Sequence, residues 1–309
     1  MEVFAEDAYP ADAPRSAVTI GVYDGVHLGH RHVLAQLRET AASRGLPTAV
    51  VTFDPHPASV VAPERAPALL TSVARRLDLL AELGIDRCVV VGFDDDVATE
   101  SPAGFVERVL VGELRAELVV VGENFRFGHD RAGDVALLGA MAGMGGFEVE
   151  PVSLDAAFGE PISSSRIRAL LGAGDVGGAA ALLGRPHELE GTVVRGDGRG
   201  RALGFPTANL EVDQGLVRPA AGIYAGTWTR PTGERHTAAI SVGTRPTFYE
   251  DAELLVEAYL CDFDADLYGE RGRLAFVERL RGEQRFDSVD DLVAQIARDV
   301  DASISILRR

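Results

Sequence analysis

Gly21-Val22-Tyr23-Asp24-Gly25-Val26-His27-Leu28-Gly29-His30 follows a short apolar run at residues 17–22 and leads into a helical pattern at 30–43. Glycines at 21, 25 and 29 let a ligand approach the backbone closely. A helix start there offers free amide N–H groups and the positive end of the helix dipole, which suits a phosphate. Two imidazoles three residues apart at such a start face the same ligand and can donate hydrogen bonds to charge developing on it. A lone histidine would read as an ordinary core or surface residue. Two histidines, three glycines and Asp24 after an expected strand read as a phosphate site.

Outward from that junction, apolar runs at 48–53, 87–92, 118–122 and 147–152 alternate with helical stretches at 73–83, 103–114 and 134–143. Such alternation predicts parallel βαβ units and an open sheet covered on both faces, with ligands at the carboxyl ends of the strands. The polar segments 24–30, 54–57 and 123–131 fall at those ends. Two short helices are expected at 165–171 and 175–183, the second stopped by Gly184, Arg185 and Pro186, which puts the domain boundary at 186/187. Beyond it, β-rich runs at 188–194, 222–229, 236–242, 254–262 and 273–280 are separated by Gly and Pro turns, and 288–307 has helical periodicity. An antiparallel barrel or sandwich with one closing helix is the expectation for 187–309.

The composition agrees with two globular domains: 309 residues, 25% charged and 46% hydrophobic. Forty-seven acidic against 30 basic residues give a net charge of −17, so nucleic acid and anionic membrane surfaces are not expected partners. All the basic residues are arginine, which rules out a lysine-bearing P-loop and leaves phosphate to Arg, His, backbone amides, helix N-termini and metal ions. Cys88 and Cys261 lie far apart in strand-like runs and are expected as buried, reduced thiols in a cytoplasmic protein. The acidic first 17 residues and short apolar runs predict neither a signal peptide nor a membrane span. Nothing in the composition specifies an oligomeric state.

A second cluster lies at 191–210, where five glycines and three arginines fall within twenty residues. A loop of Gly196, Gly198, Arg199, Gly200 and Arg201 can wrap a phosphate chain with amides and guanidinium groups, although hairpins use glycine turns constantly. Thr207 and Asn209, two apart on an extended segment, point the same way, and their oxygens suit Mg²⁺. Glu257 interrupts an apolar strand, where a carboxylate is costly unless paired or used.

The run at 21–30 resembles the H-x-G-H motif of the nucleotidyltransferase superfamily, and its longer form is similar to the adenylyltransferase half of bifunctional bacterial riboflavin kinase/FAD synthetases. Thr52-Phe53-Asp54-Pro55-His56-Pro57, Gly122-Glu123-Asn124-Phe125-Arg126-Phe127-Gly128 and Ile162-Ser163-Ser164-Ser165-Arg166-Ile167-Arg168 extend the resemblance. In the second half, Gly204-Phe205-Pro206-Thr207-Ala208-Asn209 resembles the riboflavin kinase signature, followed by similar runs at 241–248, 256–260 and 262–269. The fold so implied is a Rossmann-like nucleotidyltransferase α/β domain followed by a small antiparallel β-barrel. The implied chemistry is phosphorylation of riboflavin by ATP to FMN in the barrel and adenylylation of FMN by a second ATP to FAD plus pyrophosphate in the α/β domain, both with Mg²⁺. FMN and FAD would be products, not redox cofactors.

By the same resemblance, His27 and His30 stabilise the transition state of adenylylation and Glu257 is the general base of the kinase. Gly21, Asp24, Gly29, Asn124, Ser163, Ser164, Ser165 and Arg168 serve nucleotide and phosphate, as do the glycine–arginine loop, Thr207 and Asn209, the last two with the metal. Phe53, Pro55, His56, Phe125, Arg126 and Phe127 serve the flavin. The family usually carries Thr at the position of Ser165 and often a basic residue at that of Pro161. A kinase whose first half only binds flavin or nucleotide is the alternative that Pro161 supports. A flavin-storage module is disfavoured because both catalytic sets are present, and a Rossmann dehydrogenase because 21–30 does not spell G-x-G-x-x-G.

Overall fold

The computed structural model describes residues 1–154, 161–196, 198–244 and 254–308. The first compact unit comprises Met1–Pro67 and Val73–Ser163, the second Ala68–Ser72 and Ser164–Arg309.

In the first unit the strands are β1 (Glu2–Ala5), β2 (Ala17–Ile20), β3 (Thr48–Asp54), β4 (Arg87–Gly92), β5 (Leu118–Gly122), a short β6 (Arg126–Phe127) and β7 (Gly133–Asp134) pair, and β8 (Glu148–Val152). Its main helices are α1 (Leu28–Arg44), α2 (Pro57–Val61), α3 (Val73–Glu82), α4 (Pro102–Phe105) and α5 (Val135–Gly145). Six strands form one sheet in the order β1-β4-β3-β2-β5-β8, every pair parallel. From β2 the chain fills one side through β3 and β4, then crosses to β5 and β8. The order therefore reverses between β2 and β5, a switch point that opens a crevice at the strand ends.

The runs are apolar throughout because both faces of a parallel sheet are covered. Val18, Ile20, Ala49, Val51, Val89, Val91, Val119 and Val121 face one layer with Phe105, Val109, Leu110 and Leu138. Their neighbours Ala17, Val50, Cys88, Leu118 and Val120 face the other, packed on Val33, Leu34 and Leu37 of α1 and Leu79 and Leu80 of α3. Cys88 is thus a core residue. Cys261 is also buried, and burial raises the two free thiols to about 12 and about 11.

Three features differ from expectation in this unit. The edge strand β1 was not foreseen in the acidic N-terminal stretch; it pairs in parallel with β4. The helical pattern at 103–114 is α4 running into a π-helix, Val106–Glu113, with the Leu114 N–H reaching back to the Val109 carbonyl. The first strand stops at Ile20, two residues early, and the chain runs on into the left-handed turn at residues 23–26.

The second unit begins with α6 (Ser164–Gly172) and α7 (Val176–Leu183), followed by β9 (His187–Val194), β10 (Thr207–Val212), β11 (Gly222–Thr229), β12 (Arg235–Thr244), β13 (Leu254–Leu260), β14 (Arg271–Arg281) and α8 (Val289–Leu307). The strands close into an antiparallel barrel, β10-β13-β12-β11-β14-β9, which resolves the choice between barrel and sandwich. The sixth strand, β10, comes from the Thr207–Asn209 segment itself. Along the chain, the main division between the compact units falls at Ser163/Ser164. Gly172, Gly174 and Gly184 do end helices, but α7 buries Val176, Ala179 and Leu183 and is grouped with the barrel. Residues 68–72 join as well, Leu69 exchanging backbone hydrogen bonds with Gly215 and Val217. No helix among the described residues is long and apolar enough to cross a membrane.

His187 opens β9 with 1% exposure, its Nε2 bonded to the Val217 carbonyl at 3.0 Å. Burial, helped by Arg185 and opposed by the Val217 bond, pushes its pKa from 6.5 down to about 4. A depressed histidine pKa means that the folded chain binds fewer protons, so stability is full above pH 6.5 and lost as pH falls toward 4. The loss should be on the order of 2–3 kcal/mol. Urea unfolding of wild type and His187→Gln at neutral and acid pH should show a shallower acid loss in the variant; equal losses would assign the acid sensitivity elsewhere.

Candidate active sites

The first site grows from the turn between β2 and α1. Tyr23 (φ 53°), Gly25 (φ 83°) and Val26 (φ 40°) are left-handed. For a β-branched residue such as Val26 this conformation is strained, and it persists only where the surroundings enforce it. Tyr23 is held by a 2.7 Å hydrogen bond between its hydroxyl and Thr19 Oγ1, and burial raises its pKa. Gly21 and Gly29 are close-approach positions: a Cβ on Gly21 would lie 3.0 Å from the Tyr23 ring, and one on Gly29 would lie 3.2 Å from the His27 ring and 3.7 Å from the Ile162 carbonyl. The segment leading to Ser163 therefore passes the start of α1, and Ser163 itself is exposed. Asp24, at 2% exposure, is buried within the turn.

His27 caps α1, its Nδ1 accepting the His30 N–H at 3.2 Å. A ring nitrogen that accepts carries no proton, so neutral His27 bears its N–H at Nε2. The His30 ring stacks on His27 with centroids 3.6 Å apart and 14° between planes, and Tyr23 packs against its edge. Burial drives the His30 pKa well below 6.5, with the charge of Arg76 adding to the effect. The pair thus meets a ligand with His30 neutral.

Arg76, on α3, was not singled out from the sequence. It is fully buried, and Nη1 donates to Thr52 Oγ1 (3.1 Å) and to the Phe53 carbonyl (3.0 Å); Thr52 Oγ1 in turn donates to the Val22 carbonyl (3.0 Å). Its sequence signal was faint, because one more arginine on an amphipathic helix reads as a solvated charge.

Beside the turn, at the strand ends, lies a cavity of about 750 Å³. Of the expected flavin residues, Phe53, His56, Phe125, Arg126 and Phe127 line it and exposed Pro55 does not; of those expected for nucleotide and phosphate, Gly21 lines it and exposed Asn124 does not. Phe125 and Phe127 stack with centroids 5.3 Å apart, Phe53 meets Phe93 edge-on at 5.7 Å, and Phe105 closes the wall. This is an aromatic slot suited to a flat heterocycle. His56 caps α2 with Nδ1 accepting the Ala58 N–H at 3.0 Å, and Arg126 pairs with Asp134 at 3.0 Å. His129, Asp130 and Arg131 form part of the lining that sequence did not suggest.

The remaining expected phosphate residues stand on the second unit. α6 begins at Ser164, Ser165 is exposed in its first turn, and Arg168 one turn on donates from Nε to the Ala68 carbonyl at 2.6 Å.

The barrel brings the second motif together. Asn209 on β10 stands directly opposite Glu257 on β13, with Thr207 opposite Tyr259 and Glu257 opposite Ser241 on β12. Thr207, Asn209, Ser241, Glu257 and Tyr259 all line one cavity of about 670 Å³, together with Gly198 and Gly200. The glycine loop is pressed onto these residues. A Cβ on Gly196 would fall within 3 Å of the Asn209 amide, and one on Gly200 would lie 3.2 Å from Thr207 Oγ1. Gly198 (φ 71°) supplies the left-handed turn between them. Arg201 is exposed on the helical turn that follows. Asp197 and residues 245–248 lie outside the described residues. The opposite wall of the cavity was missed by sequence: Arg281 grips Asp299 of α8 with both Nε and Nη2 (3.1 and 2.7 Å), and Phe286, Leu292 and Ile296 complete it. Thr207, Asn209 and Glu257 offer only hard oxygen donors beside the loop, a set that fits Mg²⁺.

A switch-point turn with a helix-capping histidine stacked on a second histidine, on the same chain as a barrel whose glycine loop packs against hydroxyl and amide groups, is an arrangement suited to a nucleotide-dependent transferase. The comparisons specify which. The FAD synthetase family model matches residues 9–166 and the riboflavin kinase model residues 183–307. The chain is 38% identical to a bifunctional riboflavin kinase/FMN adenylyltransferase of Listeria monocytogenes, over 91% of this chain and 89% of that one. It is 40% identical to one of Escherichia coli over 91% and 90%. A crystal structure of a macrolide-efflux protein from Streptococcus pneumoniae superposes with TM-score 0.88 at 29% identity, over 98% of this chain and 99% of that one. The chain belongs to the bifunctional riboflavin kinase/FMN adenylyltransferase family, and both enzyme domains are present.

Two outcomes follow from the geometry. Ring-nitrogen NMR should find His30 neutral at pH 6.5, where an ordinary imidazole is half protonated; a half-protonated His30 would contradict the effect of its burial. Gly196→Ala should reduce riboflavin kinase kcat/KM by about 10²-fold, because the new methyl displaces Asn209. A kinase assay of the variant, with FMN adenylylation as the internal control, measures this.

Proposed function

We propose that the two activities are divided between the two sites, with residues 1–186 adenylylating FMN and 187–309 phosphorylating riboflavin. The observation that carries this division is that Thr207, Asn209 and Glu257 share one cavity while His27, His30 and the aromatic slot occupy the strand ends of the other unit.

In the first site FMN seats its ring between Phe53, Phe125 and Phe127, with His56 and Arg126 at the polar edge. A phosphate oxygen of FMN attacks the α-phosphorus of ATP, the bond to the β-phosphate bridging oxygen breaks, and pyrophosphate leaves. His27, from Nε2–H, and neutral His30 donate hydrogen bonds to the oxygens on which charge grows, joined by the free amides of α1. Asp24, Gly21 and Gly29 shape the turn. Asn124 and Ser163 contribute polar contacts to the nucleotide. No covalent enzyme intermediate is needed.

In the barrel, Glu257 takes the proton of the riboflavin 5′-hydroxyl, whose oxygen attacks the γ-phosphorus of ATP as ADP departs. The amides of Gly196, Gly198 and Gly200, with Arg199 and Arg201, hold the phosphate chain. Mg²⁺, held by Thr207 and Asn209, would neutralise charge on the transferred phosphoryl group. The substrates are small molecules, no nucleic acid or membrane partner is invoked, and buried free cysteines support a cytoplasmic setting.

Chromatography of products from riboflavin or from FMN, each with ATP and Mg²⁺, separates the activities. Glu257→Ala should lower FMN formation by about 10²–10⁴-fold and leave FAD formation from FMN intact, and His30→Ala should do the reverse. Loss of both activities in either folded variant would refute the division.

A further inference from the structure

Arg76 is a cation wholly removed from water, and burial lowers its pKa despite the opposing charges of Asp24 and Asp54. Its Nε is buried without a hydrogen-bond partner among the described residues. A buried charge costs several kcal/mol unless its surroundings use it. Its two bonds go to the carboxyl end of β3, one directly to the Phe53 carbonyl and one to Thr52 Oγ1, which passes on to the Val22 carbonyl. Phe53 and Val22 both line the aromatic cavity, and Val22 belongs to the strained turn that ends at His27. One guanidinium therefore ties the wall of the slot to the turn that presents the histidines.

We propose that Arg76 is a positioning residue for FMN adenylylation: through Phe53 and the Thr52–Val22 link it fixes the flavin slot relative to His27 and His30. It touches no reacting atom, since it lies beneath the site. Both acceptors are served by the two N–H groups of Nη1, whose directions the rigid guanidinium plane fixes. This inference rests on the assignment of His27 and His30 to adenylyl transfer.

The test uses the full chain, with riboflavin kinase activity as internal control, and the variants Arg76→Met, Arg76→Lys, Thr52→Val and His30→Ala. Arg76→Met should lower kcat for FMN adenylylation by about 10²-fold while KM for FMN and ATP stays within about threefold, because placement and not binding is lost. Arg76→Lys, which keeps the charge and one donor, should recover about tenfold of that loss, and Thr52→Val should cost about three- to tenfold in kcat. Unchanged kcat in Arg76→Met would overturn the proposal. So would a loss that Lys does not rescue and Thr52→Val does not share, which would make Arg76 a merely structural residue. If Arg76→Met does not fold, Thr52→Val decides alone: wild-type kcat there rejects the link. An active His30→Ala would instead sink the underlying assignment, whereas an inactive His30→Ala beside fully active Arg76→Met and Thr52→Val would sink only the role of Arg76.

Discussion

Three left-handed residues within four positions constrain the backbone of the turn after β2. Each non-glycine of this kind costs on the order of 1–3 kcal/mol, so Tyr23 and Val26 must be held from outside. The bonds are visible: the Tyr23 hydroxyl on Thr19, the Gly21 N–H on the Val51 carbonyl, and the Arg76–Thr52–Val22 link. What the strain achieves is placement. It aims the first turn of α1 at the switch point with His27 as cap and His30 stacked on it, so a ligand at the strand ends meets both rings and the free amides together.

The neighbouring aromatic cavity follows from the same sheet. Phe53 ends β3, while Phe125 and Phe127 come from the chain leaving β5, and these strands flank β2 on either side. A crevice opens between them because the chain reverses direction across the sheet at that point. The polar histidine pair and the apolar slot are thus adjacent through topology, which suits a substrate that carries a flat ring at one end and a phosphate at the other.

The barrel solves a different problem, the crowding of many oxygens and dipoles around a phosphate chain. Closure places β10 between β13 and β9, which sets Asn209 opposite Glu257, and the pleat turns Thr207 to the same face. The loop lies directly on these side chains: glycine is required at 196 by contact with Asn209 and at 200 by the Phe205 carbonyl with Thr207 beside it, not by backbone angle. The Arg281–Asp299 pair fastens α8 across the far wall, so the cavity is finished by an element remote in sequence.

Much of this was legible from local pattern. Period and run length are properties of neighbouring residues, so the parallel α/β half, the β-rich half and the closing helix could be expected, as could the histidine turn, the aromatic pair at 125 and 127 and the Thr207, Asn209 and Glu257 trio. Local signals failed where the partner lies far along the chain. The acidic β1 is a strand only because β4 presents an edge to it, and α7 is grouped with the barrel through an apolar face whose partners lie beyond it in the chain. Arg76 and Asp299 carry no local signal, because helix periodicity shows which face is polar but not what that face meets. The motifs of the two candidate sites were therefore carried by the chain itself, since motifs are local. Burial of Arg76, neutrality of His30 and the wall built from α8 came only with the tertiary structure, because desolvation and pairing depend on groups brought together by the fold.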